Sequence, residues 1–215
     1  MKVLLFLLIL SFSQIANSKG FESLHVGIAS SGPGGSALGH SYLLFCKKSY
    51  HLHLKRCVVV EYNLDINLGE KLEETKRLGF LDKINAFNQA NFKVYLHSDQ
   101  REFENKYFSR NQNLSYYKYI NSSKKINFLF EEIKADQVRR LNRDYKDYKI
   151  FSNNCATKIL DLFKISERRR FKPFKNHGLF DLDQYLFNFP IWLEDTISKS
   201  DFFSGPIVFR AKEQR

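Results

Sequence analysis

The sequence predicts a single exported α+β domain. Short alternating apolar runs fill its first half, amphipathic segments follow, and an apolar leader precedes both. Residues 21–29 alternate loosely and read as a first strand. Ser41-Tyr42-Leu43-Leu44-Phe45 ends at Cys46, and Val58-Val59-Val60-Glu61-Tyr62 begins at Cys57. Both are short β-branched or aromatic runs joined by the polar stretch 47–56, so they read as a hairpin. Residues 92–97 (FKVYLH) alternate as a further strand, and 114–120 and 126–130 read as extended or mixed.

The helical signals lie between and after these runs. Residues 99–108 look helical, with Ser98 as the N-cap. Residues 134–148 place Val138, Leu141, Tyr145 and Tyr148 at three- and four-residue spacing, an amphipathic helix. Ile159, Leu160 and Phe163 continue helical spacing from Cys155, and Asn153 or Asn154 supplies an N-cap. Residues 181–188 and 190–198 read as two short helices, and 207–210 as a last strand. Residues 68–87 are a short helix or a loop packed on the sheet. There is no internal repeat and no linker that divides the chain.

The leader has the form of a secretory signal. Lys2 gives a positive start, residues 3–10 (VLLFLLIL) form the apolar core, and Ala16-Asn17-Ser18 fits small-x-small cleavage. The mature domain is expected to start near Lys19 and to be periplasmic or secreted, about 197 residues long. The apolar core is short of the roughly 20 residues that span a bilayer. No cysteine follows it at a lipoprotein attachment position.

Composition narrows the partners. The chain of 215 residues carries a formal net charge of +11, with 43% hydrophobic and 15% aromatic residues. That apolar content can support a core and argues against disorder. A basic exported protein is drawn to anionic lipid or cell-wall polymers, and export disfavours nucleic acid. The run Arg168-Arg169-Arg170, with Lys172 and Lys175, is a solvated turn or a membrane or phosphate contact. The glycine-rich stretch 30–39 lacks the Lys-Ser/Thr ending of a phosphate loop. Its glycines let the backbone approach something closely just before His40. No cofactor is expected.

There are three cysteines, an odd number for an exported chain. Cys46 and Cys57 face each other across the predicted hairpin and are expected to form a disulfide. A zinc site of Cys46, His51, His53 and Cys57 is the alternative, although the spacing matches no common zinc pattern. Inert thiols are a third reading. Cys155 is the odd cysteine, and its place in the first turn of a helix favours the thiolate, because exposed N–H groups there act as partial positive charge.

A thiolate needs a base, and Gly39-His40-Ser41 supplies an imidazole. His40 precedes Cys155, the reverse of the papain order. His177 is the rival base, 22 residues after Cys155. That spacing leaves little room for intervening strands, so His40 is preferred. His25, His51, His53 and His97 have no motif around them. Asn63 and Glu61, two apart on one strand face, are the candidates to orient the imidazole. Asn154 caps the helix or lines an oxyanion site. Each residue also has a structural reading: a buried inert thiol, a satisfied strand histidine, or solvent-facing polar side chains.

Gly39-His40-Ser41-Tyr42-Leu43-Leu44-Phe45 resembles the GH-S/T-F-L-R strand of the Lnb N-terminal periplasmic domain family. Asn154-Cys155-Ala156-Thr157, followed by Ile159-Leu160-Asp161-Leu162, resembles its NC-A/T-T-x-x-x-D-L helix. Glu61-Tyr62-Asn63-Leu64-Asp65 is similar to its Y-N-x-G strand, with Leu64-Asp65 departing from the glycine. The resemblance covers roughly residues 22–165. It implies a permuted papain-like core, an antiparallel sheet packed on the nucleophile helix, and Asn63 rather than Glu61 at the motif position. It also implies acyl transfer through a Cys155 thioester, on an acyl-lipid, lipoprotein or peptide. An NlpC-type cell-wall peptidase or amidase is the alternative chemistry, and a non-catalytic basic surface-binding module is the alternative without chemistry.

Overall fold

A computed structural model describes residues 20–31, 39–47, 57–64, 92–141, 154–167 and 190–211. In chain order the elements are β1 (Ser23–Ala29), β2 (His40–Cys46), β3 (Cys57–Leu64), β4 (Phe92–His97), α1 (Gln100–Phe108), β5 (Leu114–Tyr119), α2 (Ser123–Leu141), α3 (Cys155–Glu167), α4 (Pro190–Ser198) and β6 (Phe203–Phe209). The strands form one six-stranded sheet in the order β4-β3-β2-β1-β5-β6, and every neighbouring pair is antiparallel. The fold is α+β, as the patterning predicts.

Alternation along the strands divides the core in two. Leu43 and Phe45 of β2, Val60 and Tyr62 of β3, and Leu24, Val26 and Ile28 of β1 share a cluster with α2, α3 and α4. Tyr42, Leu44 and Cys46 of β2 and Cys57 and Val59 of β3 lie in the other cluster, with Phe103 and Tyr107 of α1. The central strands are therefore covered on both faces. This is why β1 and β2 are buried over nearly their whole length, with no solvated face.

Cys46 and Cys57 are register partners in the β2–β3 pair and are joined by a disulfide. Their sulfurs are bonded to each other, so the zinc alternative that needed both as thiolate ligands does not hold. His51 and His53 lie outside the described residues. The bond closes a loop with a sequence separation of 11. Replacing both cysteines by serine is expected to cost about 3 kcal/mol. In a thermal melt this reads as a drop of roughly 6–12 °C, and an unchanged midpoint would show that the hairpin needs no crosslink.

Two helical expectations need correction. The N-cap of α1 is Asp99, whose side chain accepts from the Glu102 N–H at 3.0 Å, and not Ser98. The carboxylate is the better acceptor for an exposed N–H at a positive helix end. The second helix, α2, begins at Ser123, so residues 126–130 are helical rather than extended. Its buried residues are Ile126, Leu129, Phe130 and Ile133. Val138 and Leu141, read as its apolar face, are 57% and 66% exposed. Tyr145 and Tyr148, like residues 68–87 and 181–188, lie outside the described residues. The last strand starts at Phe203, four residues earlier than expected.

Both ends of α3 are anchored. At the N-terminus Asn154 Oδ1 accepts from the Ala156 and Thr157 N–H groups at 3.0 and 3.2 Å, while Thr157 Oγ1 accepts from the Asn154 N–H at 3.0 Å. This is a reciprocal cap with threonine at the third helical position. At the C-terminus Glu167 is buried and receives Tyr119 Oη, Asn121 Nδ2 and Lys125 Nζ. The helix carrying Cys155 is thus fixed in rotation as well as in packing.

Candidate active site

Cys155 is the first residue of α3 and packs in the three-helix cluster. His40 is the first residue of β2, just after Gly39, which has φ +75°. A side chain at Gly39 would also put its Cβ 2.7 Å from the Ala29 carbonyl. This is the close approach that the glycine-rich stretch implies. The turn delivers His40 to the end of the sheet where α3 begins. His40 stacks on Tyr42 and Tyr107, with ring centroids 6.4 and 6.1 Å away. Tyr42 lies in turn across Gly27, whose missing side chain makes room for its ring.

The imidazole of His40 is in hydrogen-bonding reach of the Cys155 sulfur. Its Nε2 lies 2.9 Å from Glu61 Oε1, a charge contact off the ideal hydrogen-bond line. Glu61 is 3% exposed and stands opposite Tyr42 in the β2–β3 register. It is the hub of the site. Asn63 Nδ2 donates to Oε1 at 3.0 Å, His97 Nε2 lies 3.1 Å from Oε2, and Lys106 Nζ lies 3.2 and 3.3 Å from the two oxygens.

The electrostatics follow from these contacts. Burial pushes the His40 pKa down, but the Cys155 thiolate and Glu61 outweigh it and raise the imidazole to about 10. Burial pushes the Cys155 thiol up, and the His40 charge and hydrogen bond, with the donors of Ser41, bring it below its ordinary value. Burial pushes Glu61 up as well. Its contacts with His40 and His97, and the charges of His40 and Lys106, hold the carboxyl well below the usual carboxylate range. All three shifts favour a thiolate–imidazolium pair backed by a carboxylate.

The structure thus gathers Cys155, His40, Glu61 and Asn63. Glu61 faces the imidazole, and Asn63 sits behind it as a donor to Glu61. Asn154 spends its Oδ1 on the helix cap. The N–H groups of Ala156, Thr157 and Lys158 are bonded to Asn154, which narrows the helix-end oxyanion donors to the N–H of Cys155 itself. His25 is buried on β1, where burial and then Lys118 lower it to about 4, and it takes no part in the site. His177 and the basic run 168–175 lie outside the described residues. Sequence reasoning missed His97 and Lys106. The signal for His97 was its alternation with Tyr95 on β4, but the face it shares with Glu61 follows only from the β3–β4 register.

The pattern of the Lnb N-terminal periplasmic domain matches residues 14–181. The chain belongs to the Lnb N-terminal periplasmic domain family. The match covers most of the 215 residues and runs past residue 165, where the motif resemblance stopped. The matched span holds both His40 on β2 and Cys155 on α3, the two residues that meet in the site. No curated protein and no solved structure matches the chain. The family's description places such domains in the periplasm. Among the described residues no helix is long and apolar enough to cross a membrane, and no group of His, Cys, Asp and Glu is arranged to hold a metal ion.

Proposed function

We propose that this Lnb-type domain is a cysteine-dependent acyl-transfer enzyme with a permuted papain-like site. The observation that carries the reading is the chain of contacts from the Cys155 sulfur through His40 to the buried Glu61. A helix-capped thiolate beside an imidazolium is an activated nucleophile, and a third group that fixes the imidazole completes the logic of a triad.

The thiolate attacks an acyl carbonyl and forms a carbon–sulfur bond. The tetrahedral oxyanion is held by the Cys155 N–H. On collapse the leaving group departs with the proton from His40, and a thioester remains. An amine or water then attacks, His40 takes its proton, and the thiolate leaves. Glu61 keeps the ring oriented and its charge stabilised throughout. The acyl donor is a lipid, lipoprotein or peptide amide, and the net charge of +11 suits an anionic donor or membrane surface.

The test is intact-mass spectrometry after incubating the protein with phospholipid vesicles, a diacylated lipopeptide, and a cell-wall tripeptide in separate arms. A hydroxylamine-labile adduct on Cys155, absent in Cys155→Ala, is the expected result. Acylation from the lipid or lipopeptide identifies the transferase, and a peptidyl adduct identifies the peptidase. A reactive thiol that takes no acyl group in any arm would overturn acyl transfer.

A further inference from the structure

Strand alternation sends Ser41 to the opposite face from His40. There it joins Leu43 and Phe45 beneath α3, the helix that Cys155 opens. Ser41 is fully buried, and its hydroxyl has no hydrogen-bond partner of good geometry. A buried hydroxyl left without a partner is costly, so such a group in a folded core calls for an explanation. Its backbone N–H and its hydroxyl both lie beside the Cys155 sulfur and favour its ionised form. The two residues that open β2, His40 and Ser41, thus both act on the sulfur.

We infer that Ser41 is a positioning residue for the nucleophile, its buried hydroxyl and its N–H aimed at the Cys155 sulfur to hold it as the thiolate. The inference rests on the reading of Cys155 as nucleophile and deepens it. A thiol is a weak acceptor and a thiolate a strong one, so the Ser41 hydroxyl finds its full partner only in the charged state. The imidazolium holds the thiolate by charge and gives up its proton during the reaction. Ser41 does not titrate, so its two donors remain when His40 is neutral. The thiolate that leaves as the acyl group is released therefore meets the same donors that held it at the start. Among the described residues, the other titratable groups around the sulfur are His40 from β2, with Glu61 behind it, and Tyr107 from α1.

The experiment is the rate of iodoacetamide modification at Cys155 against pH, for wild type, Ser41→Ala, Ser41→Thr and His40→Ala, with a thermal melt of each. Ser41→Ala keeps the N–H and loses the hydroxyl. Its midpoint is expected to rise by about one pH unit, a tenfold loss of thiolate, as fits one charged hydrogen bond. Its melting temperature should change little, and Ser41→Thr should restore the midpoint. A Ser41→Ala profile superimposed on wild type, with His40→Ala shifted, would overturn the role of Ser41 and leave the Cys–His pair standing. An ordinary Cys155 midpoint in wild type, unmoved by either variant, would overturn the nucleophile reading itself.

Discussion

Alkylation of Cys155 is expected to titrate with a midpoint below the free-thiol value of about 8.5, and His40→Ala is expected to return the midpoint toward that value. The physical reason is the charge beside the sulfur. Burial alone would raise the thiol, and His40 supplies the largest opposing contribution. Removing the ring leaves a buried sulfur that, among the described residues, only Ser41 and the helix end compensate. The midpoint is the quantity to measure, because the rate at neutral pH is a poor guide. A thiol of pKa 8.5 is only about 3% ionised at pH 7. A thiolate of lower pKa is more fully ionised, but its intrinsic nucleophilicity falls with its pKa at a Brønsted slope of about 0.45. The two effects oppose each other at pH 7. At pH 6 the ordinary thiol is only about 0.3% ionised, and wild type should react faster than His40→Ala. A wild-type profile lying on the His40→Ala profile would remove the basis for an activated pair.

The two halves of that pair are legible in the sequence. His40 and Cys155 stand out because a glycine-led strand start and an asparagine-capped helix start are local signals. Each fixes where its own side chain can point. The fold class was legible for a similar reason: the strands around Cys46 and Cys57 declare themselves by β-branched and aromatic runs, and the cysteines fix the register between them. Helix α2 shows where this reading fails. Ile126, Leu129, Phe130 and Ile133 already have helical spacing, but Ile126-Asn127-Phe128-Leu129-Phe130 is also rich in the residues that favour strands. Packing against β1 and β4 decides the matter, with Gln137 Nε2 donating to the Val94 carbonyl at 3.0 Å.

The rest of the site was not legible because it is tertiary. That Glu61 and Asn63 share a face follows from alternation, but which of them meets His40 depends on the β2–β3 register, which sets Glu61 opposite Tyr42. His97 and Lys106 reach Glu61 only because β4 pairs with β3 and α1 lies across that face. Lys106 also lies 3.9 Å above the Phe103 ring, which helps to hold its ammonium beside the carboxylate. No local pattern around either residue marks it as part of the site.

Glu61 is where the second large effect is expected. Glu61→Ala would leave His40, His97, Lys106 and Asn63 facing a void, with their charges and donors uncompensated. Breaking a buried ion pair from one side costs about 3–5 kcal/mol, which for a chain of this size lowers the melting temperature by roughly 10 °C. Glu61→Gln keeps the shape and removes the charge. It should fold better than Glu61→Ala while still raising the Cys155 alkylation midpoint, since the imidazolium loses its carboxylate. Asn63→Ala removes a single donor and should cost about 1 kcal/mol, which separates the orienting residue from the one behind it. The pH dependence has a defined sign. The Glu61 pKa is depressed, so its contribution is complete above the unfolded value near 4.5 and is lost as pH falls below it. Cys155 is also depressed, so its contribution is complete only above the ordinary thiol value of about 8.5 and is lost as pH falls below it. The His40 pKa is raised, so its contribution is complete below about 6.5 and is lost as pH rises through about 10. Between about pH 6.5 and 8.5 the loss from His40 and the gain from Cys155 oppose each other. Wild-type stability should therefore fall on both sides of a neutral plateau, and Glu61→Gln should flatten both limbs, because it removes one acid-side group and weakens the alkaline-side one. Parallel melting curves for wild type and Glu61→Gln from pH 3 to pH 10 would show that the carboxylate only fills space, and the triad would then reduce to Cys155 and His40.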